Sequence, residues 1–193
     1  FTVRDILKEY EAEDIRMFML SAHYRSPLNF SREMMAQARA GLMRLYTARD
    51  RLDFLLAHAH DGEPSAEEQE LIARAEAALP SFYEAMDDDL NTAGALGVMF
   101  ELVYDINTVL AETSSRRAVE AARTALLAMA DVLGLLVKKA DALPSDIQAL
   151  VDERAQARTD RDWKKSDALR DELIARGYTV EDTKLGQKIT RAV

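Results

Sequence analysis

The sequence contains no cysteine, which removes disulfides, thiolate zinc sites and cysteine nucleophiles together and is compatible with a reducing compartment. Glycine and proline are scarce: average usage would place about 23 of them in a chain of this length, and the 193 residues hold 7 and 4. So few turn-formers argue against a β-sandwich or barrel and for long helices. No apolar run is long enough to span a membrane, and the opening Phe1-Thr2-Val3-Arg4-Asp5 lacks the basic and apolar regions of a signal peptide, so a soluble, cytoplasmic protein is expected. There are 3 histidines; His58 and His60 diverge at a predicted helix end, and no pair has metal-ligand spacing. No glycine-rich phosphate loop, nucleophile elbow or dinucleotide fingerprint is present. The run Asp87-Asp88-Asp89 stands just before a predicted helix start, where carboxylates suit the macrodipole better than a metal. Neither a metal site nor a catalytic residue is expected.

What the sequence does have is a composition of 48 % hydrophobic and 31 % charged residues, enough for a globular core, and a formal charge of −9 that is unevenly spread. Residues 1 to 50 sum to +1, residues 51 to 152 to −12 and residues 153 to 193 to +2. An anionic partner would meet the two ends, with the acidic middle as scaffold.

Apolar residues at Met34, Ala38, Leu42, Leu45, Leu52 and Leu56, interrupted by Arg49, predict one long amphipathic helix from Ser31 to Ala59. Ser65 with Glu68 is a capping-box pattern opening a second helix that runs to a boundary at Pro80. Asn91 caps a third, with the stripe Leu96, Met99, Phe100, Val103, Ile106 and Leu110. A fourth follows Ser115, with Val119, Ala122, Leu126, Met129, Leu133 and Leu136 spaced as in an antiparallel bundle seam. The segment Ala140-Asp141-Ala142-Leu143-Pro144 reads as a domain boundary. Beyond it, Ser145 with Gln148 forms another capping-box pattern for a short helix carrying Ile147, Leu150 and Val151. A second helix runs from Trp163 to Arg176 with Leu169, Leu173 and Ile174 inward, Gly177 stops it, and alternation around Val180 and Ile189 predicts a terminal β-hairpin turning at Lys184 to Gln187. The fold expected is mainly α: an antiparallel helical bundle at 31–140 and a small α+β module at 145–193.

In that module Arg154, Arg158, Arg161, Lys164, Lys165, Arg170 and Arg176 flank Trp163, the only tryptophan. Two readings of this pattern stand: a tryptophan anchoring two helices beneath a solvated charged face, or a stacking platform for an unpaired base ringed by phosphate-binding cations.

Five strings, taken in order, carry a resemblance. They are Phe1-Thr2-Val3-Arg4-Asp5-Ile6-Leu7, then Ser21-Ala22-His23-Tyr24-Arg25-Ser26-Pro27-Leu28-Asn29-Phe30-Ser31, Met86-Asp87-Asp88-Asp89-Leu90-Asn91-Thr92, Asp162-Trp163 with Asp167 and Arg170-Asp171, and Glu181-Asp182-Thr183. Together they resemble the C-terminal part of bacterial cysteinyl-tRNA synthetase, a class I ligase, starting just behind its Lys-Met-Ser-Lys-Ser loop. The resemblance implies the end of the stem-contact fold at 1–30, a helical anticodon-binding bundle of the DALR type at 31–140 and an anticodon-recognition module at 145–193. It implies tRNA(Cys) and the enzyme's own catalytic domain as partners, and it assigns ATP, Mg and Zn to that domain and no cofactor to this chain. A chain with these residues alone is expected to be an inactive monomer. Carried over position by position, Trp163 stacks on an anticodon base, Arg158 and Arg170 approach the loop, and Asp167 and Asp182 face base edges. His23, Tyr24 and Arg25 are candidate stem contacts. A carboxylate suits guanine, whose Watson–Crick edge offers two parallel donors, N1–H and the N2 amino group. The family's hairpin usually carries a tryptophan where this sequence has Ile189. The competing reading is a freestanding helical binding or structural protein that has the fold without an RNA role.

Overall fold

Short polar side chains set the starts of the long helices in the computed structural model, which describes residues 2–138, 143–183 and 186–191, with residues 190 and 191 as backbone alone. Ser31 accepts from the Met34 amide and opens α3 (Arg32–His58). Ser65 and Glu68 form a reciprocal capping box at α4 (Ala66–Asp87), Asn91 caps α5 (Thr92–Val109), and Ser115 caps α6 (Arg116–Leu133). Each cap satisfies an amide that the helix itself leaves unpaired. Two short helices that periodicity did not announce, α1 (Val3–Ile6) and α2 (Ala12–Leu20), come first.

In this first unit α4 packs on α5 and α6, and α3 packs on α2 and α6. Met35, Leu45 and Leu52 of α3 meet Leu71 and Phe82 of α4, Met99 and Ile106 of α5, and Val119, Leu126 and Met129 of α6 in one continuous core. Ile15, Met17 and Phe18 of α2 lie in that same core, so residues 12–20 pack with the bundle. Burying each large apolar side chain contributes about 1.5–3 kcal/mol, which is what holds α2 there. Glu13 adds a polar tie: one carboxylate oxygen accepts from the Tyr46 hydroxyl at 2.7 Å and the other from the Leu136 amide at 2.6 Å. Burial, aided by the hydrogen bond to Glu13, pushes the Tyr46 hydroxyl up to about 12.

Five details differ from the sequence reading. Ala38, Leu42, Leu45 and Leu52 are buried as the stripe predicts, but Met35 takes the core position at the start of α3 while Met34 is exposed, and Leu55 is buried where Leu56 was expected. Arg49 does not break that face; its guanidinium lies 4.7 Å from the Tyr46 ring and donates to the Lys138 carbonyl at 2.5 Å. Pro80 is not a boundary but an exposed residue inside α4. Leu71, Ala75, Ala78 and Phe82 are buried on both sides of it, and this apolar face carries the helix past the one missing amide. Asp87 closes α4 and Asp88 caps its C-terminus, so the acidic run occupies the end of one helix as well as the approach to the next. The α6 stripe is buried from Val119 to Leu133, and Gly134 then ends the helix at φ 63°, leaving Leu136 outside it.

The second unit contains α7 (Ser145–Thr159), α8 (Trp163–Ala175) and an antiparallel hairpin of β1 (Tyr178–Thr183) and β2 (Gly186–Arg191). Its register pairs Val180 with Ile189 and Asp182 with Gln187. Ile147 and Val151 of α7, Leu173 of α8 and Val180 of β1 form the core, with Tyr178 and Ile189 against it. Ile189 is thus a packing residue of the hairpin. The predicted cap at Ser145 is displaced: Pro144 holds the N-cap position without a side-chain bond, and Ser145 is the first helical residue. Ile174 is 52 % exposed where an inward position was predicted, because one residue beyond the buried Leu173 turns the side chain about 100° around the helix. Gly177 ends α8 at φ 83°. Of the boundary expected at 140–144, residues 140–142 lie outside the described residues, as do 184 and 185 of the turn expected at 184–187, whose Gly186 and Gln187 begin β2.

Candidate nucleic-acid interface

Asp162 accepts from the Lys165 amide at 3.1 Å and so fixes Trp163 as the first residue of α8. Helical spacing then divides α8. Ser166, Leu169 and Leu173 are buried, whereas Trp163, Asp167 and Arg170, four and three residues apart, line one exposed face. Trp163 is 56 % exposed, so it is no wedge between helices. The guanidinium carbon of Arg158, from α7, lies 5.9 Å from its ring centroid, within cation–π range.

Beneath this face runs an ion network that sequence reasoning missed. Arg154, counted there among the phosphate-binding cations, is only 1 % exposed. Its Nη1 and Nη2 donate to Asp182 Oδ1 and Oδ2 at 2.9 and 3.0 Å, and Nη1 also donates to Gln187 Oε1 at 2.7 Å. Asp182 and Gln187 are cross-strand partners, so the hairpin grips α7 through one arginine. The Gln187 amide nitrogen in turn donates to the Val151 carbonyl. Arg158 Nη1 donates to the remaining side of Asp182 Oδ2 at 3.1 Å. The hydrogen bonds from Arg154 hold the Asp182 carboxyl below the usual range against a desolvation that would raise it, and the charges of Arg154, Arg158 and Arg170 add to the effect. One signal in the sequence pointed to Arg154: it lies seven and three residues after Ile147 and Val151, on the core side of α7.

The other cations divide in two. Lys165 pairs with Glu153 at 2.8 Å, and Arg176 with Asp146 at 2.8 Å and Glu172 at 2.5 Å. Arg161, Lys164 and Arg170 are exposed, and their side chains make no hydrogen bond or ion pair among the described residues.

In the first unit His23, Tyr24 and Arg25 gather on Asp89. The Tyr24 hydroxyl donates to Asp89 Oδ1 at 2.8 Å, Arg25 Nη1 lies 3.1 Å from Oδ2, and the His23 and Tyr24 rings stack at 4.8 Å. The acidic run therefore serves side-chain pairing as well as the helix start, and Tyr24 and Arg25 remain largely exposed. Among the described residues no three His, Asp or Glu side chains converge as metal ligands. Nor is any described helix long and apolar enough to cross a membrane.

Comparison with known proteins finds three matching stretches. Residues 1–40 match the class I (C) tRNA synthetase catalytic domain, 81–137 the DALR domain and 140–189 the cysteinyl-tRNA ligase anticodon binding domain. The chain is 42 % identical to the cysteine–tRNA ligase of Lachnospira eligens over 193 residues, covering 100 % of this chain and 41 % of the relative. It is 43 % identical to that of Symbiobacterium thermophilum over 194 residues, covering 100 % and 41 %. For Geobacter sulfurreducens the figures are 43 % over 203 residues, covering 96 % and 42 %. The chain spans about two fifths of the length of these curated relatives. From end to end the chain matches the C-terminal part of these bacterial cysteine–tRNA ligases, with the DALR domain and the cysteinyl-tRNA ligase anticodon binding domain in order.

Proposed function

We propose that the chain binds the anticodon region of tRNA(Cys), with the second unit reading unpaired bases. The observation that carries this reading is the exposed Trp163 with Arg158 beside its ring, on a face shared with Asp167 and Arg170. An indole half in solvent and flanked by a cation is a platform for a nucleobase, and the exposed cations supply phosphate contacts. The bundle at 31–140 is the larger anticodon-binding body in this reading. Residues 1–30 face the stem through His23, Tyr24 and Arg25. Amino-acid activation, with its ATP, Mg and Zn, belongs to the family's catalytic domain, and the protein acts in the cytoplasm.

The geometry redistributes the roles of the two carboxylates. A guanine edge presents N1–H and N2–H as parallel donors, and a carboxylate meets them with its two parallel lone pairs. Arg154 already takes that pair on Asp182 with its own two parallel donors. The lone pairs left over diverge, and releasing Arg154 would strand a buried guanidinium. Asp182 is therefore the clamp that holds Arg158 toward Trp163. Asp167 is exposed, makes no hydrogen bond or ion pair among the described residues, and lies one helical turn from Trp163, so it is the carboxylate free to accept both guanine donors.

Binding of a tRNA(Cys) transcript, and of one with the anticodon guanine changed to adenine, tests this reading. Trp163→Ala should weaken both RNAs alike by about 1–3 kcal/mol. Asp167→Asn should erase the preference for guanine, since an amide turns one acceptor into a donor. Equal binding of the two transcripts by the unaltered chain would contradict the proposal.

A further inference from the structure

Four helices run into a left-handed residue at their C-terminal end, α4 at Asp89 among them, and they do not end alike. α6 stops at Gly134 (φ 63°) and α8 at Gly177 (φ 83°), but α7 closes through Arg161 at φ 59°. The closure is a complete Schellman motif: the Arg161 amide donates to the Arg158 carbonyl at 3.1 Å and the Asp162 amide to the Ala157 carbonyl at 2.8 Å. Glycine favours that position because a Cβ in the left-handed region crowds the backbone. Arginine there costs the fold stability, and its exposed side chain returns no hydrogen bond or ion pair among the described residues. The other left-handed residues have local reasons. Asp89 accepts from Tyr24 and Arg25 with Leu90 in the same turn, and Leu136 packs on the core. Arg161 has no such reason, and it stands two residues before Trp163.

We infer that Arg161 binds a backbone phosphate of the RNA strand whose base stacks on Trp163, and that the strained position is retained for this contact. The inference rests on the base-stacking reading of Trp163. A guanidinium at this turn neutralises phosphate charge without reading sequence, so its contribution is the same for every anticodon and falls with salt.

The test compares Arg161→Gly, Arg161→Lys and Trp163→Ala with the unaltered chain, measuring thermal unfolding and the affinity for a tRNA(Cys) transcript across a salt series. Arg161→Gly should raise the unfolding midpoint by about 2–4 °C. It should also flatten the slope of log affinity against log salt by about 0.7–0.9, equally for cognate and altered anticodons, while Arg161→Lys keeps the slope. The glycine variant folds at least as well as the parent, so lost binding cannot be ascribed to lost structure. An unchanged slope with Trp163→Ala still weakening the complex overturns the role of Arg161 and leaves the stacking site standing. If Trp163→Ala also binds undiminished, the stacking site falls and Arg161 with it. A lower midpoint for Arg161→Gly would show that the arginine serves the fold, and would overturn the inference as well.

Discussion

Arg154 and Asp182 meet through two parallel hydrogen bonds of 2.9 and 3.0 Å, one partner almost wholly buried and the other at the edge of solvent. The asymmetry makes the pair unequal in consequence. Asp182 can turn to Arg158 and water when its partner is lost, whereas Arg154 has only Gln187 to fall back on.

Asp182→Asn should therefore destabilise the second unit by about 3 kcal/mol, at the low end of the range for stranding a buried charge. Arg154→Met should cost less than Asp182→Asn, and the double variant should recover most of the loss. Denaturant unfolding of the three variants checks the order; a change below about 0.5 kcal/mol for Asp182→Asn, the level of an ordinary surface substitution, would contradict it.

The same pair gives the second unit a pH dependence. The folded carboxyl of Asp182 titrates below its unfolded value, so its contribution is complete above the ordinary aspartate range near pH 4 and is lost as pH falls through the depressed folded value. Acid unfolding monitored by hairpin amide resonances should show this loss, and the Asp182→Asn variant should lack it.

Glu68 links two helix starts. Its carboxylate accepts from the Ser65 amide and the Ser115 amide, each at 3.0 Å, joining α4 to α6. Glu68→Ala leaves both amides without this acceptor and should cost the first unit about 2–4 kcal/mol, read by thermal or denaturant unfolding.

Pro80→Ala should stabilise. A proline in a helix interior is about 3 kcal/mol worse than alanine, and up to about 1 kcal/mol of that is offset by its restriction of the unfolded chain, so a gain of about 2 kcal/mol is expected from denaturant unfolding. A loss would mean that the exposed ring makes a contact the helix needs.

The helices were legible because the caps Ser31, Ser65, Asn91 and Ser115 are local signals, readable within four residues. The inward α6 stripe was legible for the same reason, since 3.6-residue periodicity needs no knowledge of partners. Pro80 misled because a local breaker was outvoted by burial of Ala78 and Phe82, which depends on neighbours distant in sequence. Trp163 stood out as a lone aromatic among cations. Arg154 did not, because an arginine next to other basic residues looks solvated until the hairpin folds back and brings Asp182 and Gln187 to it across 28 and 33 positions. The assignment of the carboxylates turned on that one long-range contact, which no spacing rule contains.

Trp163 is the only tryptophan in the chain, so intrinsic emission at long wavelength reports on the stacking position alone. Titration with a tRNA(Cys) transcript should quench it saturably, along the same curve as binding measured by an independent method, and a fully base-paired RNA of equal length should leave it unchanged. Emission that stays constant while the independent method shows the tRNA complex formed would contradict the stacking of an unpaired base on Trp163.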